Sequence, residues 1–264
     1  MPEGAEFNPA VPATARVYNA ALGGKDNYAA DRAVAESILS LEPAAQGIAV
    51  WNRAFIRRAL RYVARKGTSQ VMDIGAGLPA ARGSNTHEIM RAANADARVA
   101  YVDRDAVVMA HLRAIQAEAP YSVAFRGDLA KPQDILADHE LNGHIDLRQP
   151  VAVLLGAVLH FMPDPDAYKT VECLKSGVAP GSYLIVSHAT ADGTSPGTAQ
   201  TVRDKYACSG MDPLTLRTRT EVAGFFDGWE LTEPGVVDVN DWWPLPGEKP
   251  EAPTILYGCV ARKP

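Results

Sequence analysis

Three aspartates and two glycines carry the chemistry most plainly written in this chain. Asp73, Gly75 and Gly77 fall in the run Gln70-Val71-Met72-Asp73-Ile74-Gly75-Ala76-Gly77, which reads as a short buried strand entering a glycine turn. A second apolar run, Val99-Ala100-Tyr101-Val102, ends on Asp103, and Asp128 closes a third, Phe125-Arg126-Gly127-Asp128-Leu129. Glycines at a strand tip let backbone approach a ligand closely, and a carboxylate at the next tip accepts hydrogen bonds from ribose hydroxyls. Together they describe a site for an adenosine-containing cofactor on an α/β sheet. Singly, each aspartate also fits a plain loop role, capping or facing water. Three at successive strand tips, two of them beside glycines, shift the reading to a cofactor.

The residues after the turn discriminate between cofactors. A dinucleotide needs a helix that starts at the glycines, because the helix N-terminus faces the pyrophosphate. Here Leu78-Pro79-Ala80-Ala81-Arg82-Gly83-Ser84 follows, and the third glycine of the dinucleotide pattern is absent. The best helix start is Asn85, with Glu88 three residues on, a capping-box variant. A long loop between turn and helix suits a ligand without a pyrophosphate, and S-adenosylmethionine is such a ligand. Asp73 would then meet its ammonium, Asp103 the ribose hydroxyls and Asp128 the adenine amino group.

These residues need a sheet to hold them. Strands are predicted at 70–74, 99–102, 122–126, 151–155 and 182–187, with helices at about 85–94, 105–117, 132–138, 166–176 and 218–226. Such alternation implies a mainly parallel sheet covered on both faces. Near the end, Trp229-Glu230-Leu231-Thr232 and Thr254-Ile255-Leu256-Tyr257-Gly258-Cys259-Val260 have no helix between them and read as an antiparallel closing hairpin. The stretch 189–200 reads as a flexible loop. Ahead of the sheet, residues 1 to about 12 are proline-rich. A helix over 14–22 ends at Gly23-Gly24, and a second follows, N-capped by Asp26 or Asn27 and stopped by Pro43. A third runs from Ile48 to Lys66, where Arg53, Arg57, Arg61 and Arg65 read as a solvated stripe. The division is thus 1–66, a helical extension, and 67–264, the cofactor-binding domain.

Bulk properties narrow the function classes. With 264 residues, 47% hydrophobic and 22% charged, the chain can bury a sizeable core. A net charge of -5 favours neither nucleic acid nor an anionic membrane as partner. No run has the roughly 18 apolar residues of a spanning helix, and the N-terminus lacks a signal pattern, so a cytoplasmic location is expected. Cys173, Cys208 and Cys259 are far apart and odd in number, which argues against a disulfide framework or zinc cluster. No metal site is proposed.

Several stretches resemble class I S-adenosylmethionine-dependent methyltransferases, and more narrowly a high-GC bacterial methyltransferase family first catalogued as a domain of unknown function. They are Ala15-Arg16-Val17-Tyr18-Asn19, Leu22-Gly23-Gly24-Lys25-Asp26-Asn27-Tyr28-Ala29-Ala30-Asp31-Arg32, Asn52-Arg53-Ala54-Phe55, Asp73-Ile74-Gly75-Ala76-Gly77-Leu78-Pro79, Thr86-His87-Glu88, Tyr101-Val102-Asp103, Leu159-His160-Phe161, Pro180-Gly181-Ser182-Tyr183-Leu184 and Ser187-His188. The resemblance spans nearly the whole chain. It implies a Rossmann-like, seven-stranded, mainly parallel sheet with an antiparallel last strand, helices on both faces and an N-terminal helical extension. It also implies cofactor contacts at Asp73, Gly75, Gly77, Asp103, Arg104, Asp128 and Leu129, and at Gly156 and Leu159 after the fourth strand. In this superfamily such an extension commonly lies over the cofactor, which casts Tyr18, Gly24, Lys25 and Asn27 as a lid.

The methyl acceptor belongs at the ends of strands four and five. His160 and His188 lie there, and an imidazole titrates near neutrality, so each is a candidate general base. A histidine at a strand tip also commonly just binds backbone. Trp242 and Trp243 either wall the acceptor pocket or pack the hairpin. The resulting expectation is S-adenosylmethionine-dependent methyl transfer to an oxygen or nitrogen of a small molecule, in keeping with secondary metabolism. The rivals are an NAD(P)-dependent oxidoreductase and a non-catalytic S-adenosylmethionine-binding protein.

Overall fold

The fold is that of a computed structural model describing residues 8–41, 45–80, 82–247 and 254–264. Pro43 and the first seven residues, read above as a helix stop and a loose proline-rich start, lie outside them. The chain begins with three helices, α1 (Thr14–Ala21), α2 (Ala29–Leu41) and α3 (Ala45–Arg65). Then come β1 (Gln70–Ile74), α4 (Thr86–Ala93), β2 (Arg98–Asp103), α5 (Ala106–Glu118), β3 (Ser122–Arg126), α6 (Pro132–Ala137), α7 (His139–His144) and β4 (Ala152–Gly156). After these follow α8 (Asp166–Ser176), β5 (Tyr183–Ala189), α9 (Pro196–Cys208), α10 (Arg219–Gly224), β6 (Glu230–Leu231), β7 (Val237–Asp238) and β8 (Leu256–Arg262).

The strands form one sheet in the order β3-β2-β1-β4-β5-β8-β6, with β7 also on β8. The first five are parallel, and β8 runs antiparallel to β5 along its whole length. The sheet has eight strands where seven were expected. The extra one arises because the strand before β8 is broken into two-residue pieces, β6 and β7, both antiparallel to β8. Burial alternates along the strands. Met72, Ile74, Val153, Leu155, Leu184 and Val186 enter one core, and Val71, Ala152, Leu154, Tyr183 and Ile185 the other. That period of two is what a sheet covered on both faces requires. Because β1 lies between β2 and β4, the chain reverses its direction across the sheet there. Ligands bind above the carboxyl ends of parallel strands at such a switch point.

One expected loop is helical in part. Residues 190–195 of the stretch read as flexible are a loop, but 196–200 begin α9, where Ser195 Oγ accepts the Thr198 N–H and Pro196 occupies the first turn. This helix leans on α2, with Lys205 Nζ donating to Ser37 Oγ at 2.5 Å. Two helices far apart in sequence thereby roof the carboxyl ends of the strands.

Candidate active site

A cavity of about 1810 Å³ opens above the carboxyl ends of β1 to β5. Its floor is the turn after β1. Gly75 and Gly77 have φ of +71° and +67°, a region L side chains rarely adopt. A Cβ on Gly75 would also lie 2.6 Å from Val158 Cγ2. Gly75 N–H donates to Val102 O at 2.8 Å, and Gly77 N–H donates to the Asp103 carboxylate at 2.9 Å. The other Asp103 oxygen accepts the Asp105 N–H. Asp103 therefore stitches the glycine turn to the β2 tip. Each oxygen keeps an acceptor site to spare, and the residue lines the cavity. Burial raises its pKa.

Asp73 is 8% exposed and accepts a 2.6 Å hydrogen bond from Thr86 Oγ1, at the start of α4. Burial pushes its pKa up to about 6, against the opposing influence of the Thr86 hydrogen bond and the Arg53 charge. Among the described residues no cation pairs with it. The intervening loop is held by Glu88, which accepts from the Gly83 and Asn85 N–H groups, and by Asn85, whose Oδ1 accepts from Ala80. The late start of α4 read from the sequence is thus built. A carboxylate, Asp73, already sits against its N-terminus.

Of the predicted contacts, Tyr18, Asp73, Gly75, Gly77, Asp103, Arg104, Asp128, Leu129, Gly156 and His160 line the cavity. Leu159 does not; it is fully buried in the core beneath. Nor do Gly24, Lys25 and Asn27. That segment is a structural knot. Gly23 (φ +73°) and Gly24 donate to Ala20 O and Asn19 O and close α1. Asn19 Oδ1 accepts from both the Asp26 N–H and Asn27 Nδ2. Neither Asp26 nor Asn27 caps α2, whose first-turn acceptor is Asp31, taking the Tyr28 N–H at 2.8 Å.

The two histidines part company. His188 is fully buried and absent from the cavity wall. Its Nε2 lies 2.6 Å from Arg217 Nη1 and its Nδ1 lies 2.7 Å from Ala189 O. Guanidinium only donates, so the ring is the neutral Nδ1–H tautomer. Burial, then the Arg217 charge, lowers its pKa to about 3. Arg217 also donates to Leu159 O, Met162 O and Asp164, and so braces the turn after β4. His188 is part of that brace, which corrects its reading as a base. His160 does face the cavity, but its Nδ1 accepts the Ala189 N–H at 3.2 Å. Burial, with His188 and Arg217 nearby, holds its pKa well below the usual value. What it offers the cavity is a ring N–H donor. Trp242 is fully buried against Phe55 and Tyr62, so it packs the core and does not wall the pocket.

Sequence reasoning missed two arginines. Arg16 is buried at 3% exposure and pairs with Asp31 at 3.0 Å and Asp105 at 3.3 Å. It fastens α1 and α2 to Asp105, the cap of α5, two residues beyond Asp103 at the β2 tip. Arg53, read as part of a solvated stripe, instead lines the cavity and donates to Leu78 O at 2.9 Å. Elsewhere the cavity wall is apolar, formed by Ile38 and Leu39 of α2, Ile56 of α3, Phe161, Val202 and Tyr206. Burial pushes the Tyr206 phenol up to about 12.

Sheet order, switch-point cavity and strand-tip carboxylates define an α/β protein that holds an adenosine-containing cofactor. The whole chain from residue 2 to 264 matches the S-adenosyl methyltransferase family, and the protein belongs to it. A DUF574 family protein from Streptomyces avermitilis MA-4680 is 35% identical over 96% of this chain and 98% of its own, with a TM-score of 0.90. A solved structure from Thermobifida fusca YX is also 35% identical, over 99% and 98% of the two chains, with a TM-score of 0.88. Human N-acetylserotonin methyltransferase in complex with SAM shares 14% identity, a TM-score of 0.50 and 88% of this chain against 57% of its own, a likeness of fold alone. Among curated proteins none matches.

The cofactor of this family is S-adenosylmethionine, and the residues fit it. A buried carboxylate without a cation suits a ligand that brings its own positive charge. A pyrophosphate would meet Asp73 and Glu88 at the N-terminus of α4, the helix that follows the glycine turn. Among the described residues no helix is long and apolar enough to cross a membrane, and no His, Cys, Asp or Glu cluster has the makings of a metal site.

Proposed function

We propose that the protein transfers a methyl group from S-adenosylmethionine to an oxygen or nitrogen of a small, largely apolar molecule of the kind made in secondary metabolism. One observation carries this reading: a single cavity is lined both by Asp73, Asp103 and Asp128 and by apolar side chains of α2 and α9. Its volume of about 1810 Å³ exceeds the roughly 1,000 Å³ upper range of single-ligand pockets. That leaves room for a cofactor and an acceptor together.

In this reading Asp103 takes the ribose hydroxyls, Asp73 the ammonium, and Asp128 the adenine amino group. Gly75 and Gly77 allow the close backbone approach. The bound cofactor supplies an electrophilic methyl group on a sulfonium. The chain supplies alignment and exclusion of water, which is the larger part of what such a transfer needs. Gly156 keeps the β4 tip slim, since a Cβ there would fall 2.7 Å from Ile56 Cδ1. His160 holds the acceptor atom through its ring N–H. A net charge of -5 supports a small molecule over nucleic acid.

Calorimetry with S-adenosylhomocysteine, NAD and NADP tests the cofactor half. Binding of S-adenosylhomocysteine alone is expected, and binding of a nicotinamide cofactor in its place would reject the reading. Turnover on a panel of phenols, amines and carboxylic acids tests the acceptor half. Neutral phenols and amines are expected to react; methylation confined to carboxylic acids would reject the apolar, neutral acceptor.

A further inference from the structure

Two opposite charges that line the cavity, Asp73 and Arg53, do not pair with each other. Asp73 rises from the sheet, and Arg53 descends from α3 in the N-terminal extension. They are close enough for the Arg53 charge to act on Asp73, yet no ion pair joins them among the described residues. The Arg53 guanidinium is oriented but underused. One nitrogen, Nη2, donates to Leu78 O, whereas Nε is buried with no partner. The Tyr18 ring lies against it, 5.8 Å from centroid to Cζ. Tyr18 is itself fixed, since its hydroxyl donates to Ala49 O and accepts from Asn52 Nδ2. Leaving the buried Nε–H of a half-buried guanidinium idle is costly unless a ligand supplies the acceptor. A guanidinium fork is matched by a carboxylate.

We propose that Arg53 and Asp73 form a dipolar clamp for an α-amino acid group, Arg53 taking the carboxylate and Asp73 the ammonium of the cofactor's methionine end. This rests on the cofactor reading above and extends it. Helix α3 supplies half of the amino-acid subsite, and the cation is Arg53, not Lys25, which does not line the cavity. Tyr18 and Asn52 are positioning residues that hold the guanidinium in place.

The test is calorimetry with two probes, S-adenosylhomocysteine and 5′-methylthioadenosine, which lacks the amino-acid group. For Arg53→Gln the dissociation constant of S-adenosylhomocysteine is expected to rise at least 10-fold, with that of methylthioadenosine within 2-fold of the parent protein. Arg53→Lys, which keeps the charge but not the fork, should recover part of the loss. Retained methylthioadenosine binding shows that the variants are folded. An equal change for both probes, or no change for either, overturns the clamp while leaving the cofactor site standing. Failure of the parent protein to bind S-adenosylhomocysteine overturns both.

Discussion

Asp73 and the two histidines are titratable groups displaced in opposite senses, and each displacement has a consequence. The fold prefers Asp73 neutral, with a pKa near 6 against 3.8 for the free group. Its contribution favours folding most at acid pH and is lost as pH rises from about 4 through 6. At neutral pH the charged form therefore destabilises the ligand-free protein, by about 1–3 kcal/mol on a scale of 1.36 kcal/mol per pKa unit. Asp73→Asn should raise the melting temperature of the ligand-free protein at pH 7.5 and weaken S-adenosylhomocysteine binding; a variant that melts lower and binds as before contradicts this account. In the unmutated protein the same affinity should fall as pH drops below about 6, where the proton competes with the ammonium, and calorimetry between pH 5 and 8 reads it directly. His160 and His188 carry the opposite sign. Both are held neutral when folded, so the stability they contribute is lost as pH falls below the unfolded value near 6.5. Their ring signals in a histidine-labelled NMR spectrum should stay constant from pH 8 to 5. Titration of either near 6.5 would restore it as a candidate base.

Among the elements, the turn joining α1 and α2 shows best why a motif can be specific without touching a ligand. A Cβ on Gly24 would fall 2.4 Å from Asn19 Nδ2, and Asn19 is committed to Asp26 and Asn27. Gly24→Ala should cost about 1–3 kcal/mol, the scale of overpacking. In an Asn19→Ala background the same change should be nearly neutral. Equal costs in both backgrounds, measured by denaturant unfolding, would show that the clash is not the cause. Legibility in the sequence follows the strength of the local signal. The strand-tip residues Asp73, Gly75, Gly77 and Asp103 were readable, since buried parallel strands are near-continuous apolar runs and their ends stand out. The helix α9 was not. Pro196-Gly197-Thr198-Ala199-Gln200-Thr201 has weak intrinsic helicity, and the helix depends on its Ser195 cap and on packing against α2. Arg53 was misplaced for a geometric reason. Residues four apart on a helix drift by about 40° per step, so Arg53 stands about 120° around α3 from Arg65. Arg61 and Arg65 are exposed while Arg53 lines the cavity. The roles of Arg16 and Arg217 rest on partners distant in sequence, and no local pattern announces those.

For the molecule as a whole, the question is where the extension ends and the catalytic fold begins. The sequence places that joint at residue 66. In three dimensions α3 lies across the sheet, and its Phe55, Leu60 and Val63 are fully buried among Val71, Val99, Tyr183, Val260 and Trp242. Phe55 sits on bare backbone at Gly258, where a Cβ would come within 2.7 Å of its ring. Buried Arg58 satisfies Val239 O and Trp242 O. Removing α3 would strip roughly 5–9 kcal/mol of apolar burial from these three side chains alone, comparable with the 5–15 kcal/mol total of a typical domain, and would orphan two carbonyls. By contrast α1 and α2 reach the rest through the cavity roof, Tyr18, Arg16 and Lys205. We propose that the separable unit is α1 with α2, and that α3 belongs to the methyltransferase core. A chain of residues 67–264 is expected to lack a cooperative melting transition, while one of residues 45–264 melts cooperatively and binds S-adenosylhomocysteine at least 10-fold more weakly than the full chain. Circular dichroism and calorimetry decide the matter: a cooperative fold for 67–264 would return the joint to residue 66, and undiminished binding by 45–264 would show that the roof of α1 and α2 has no part in holding the cofactor.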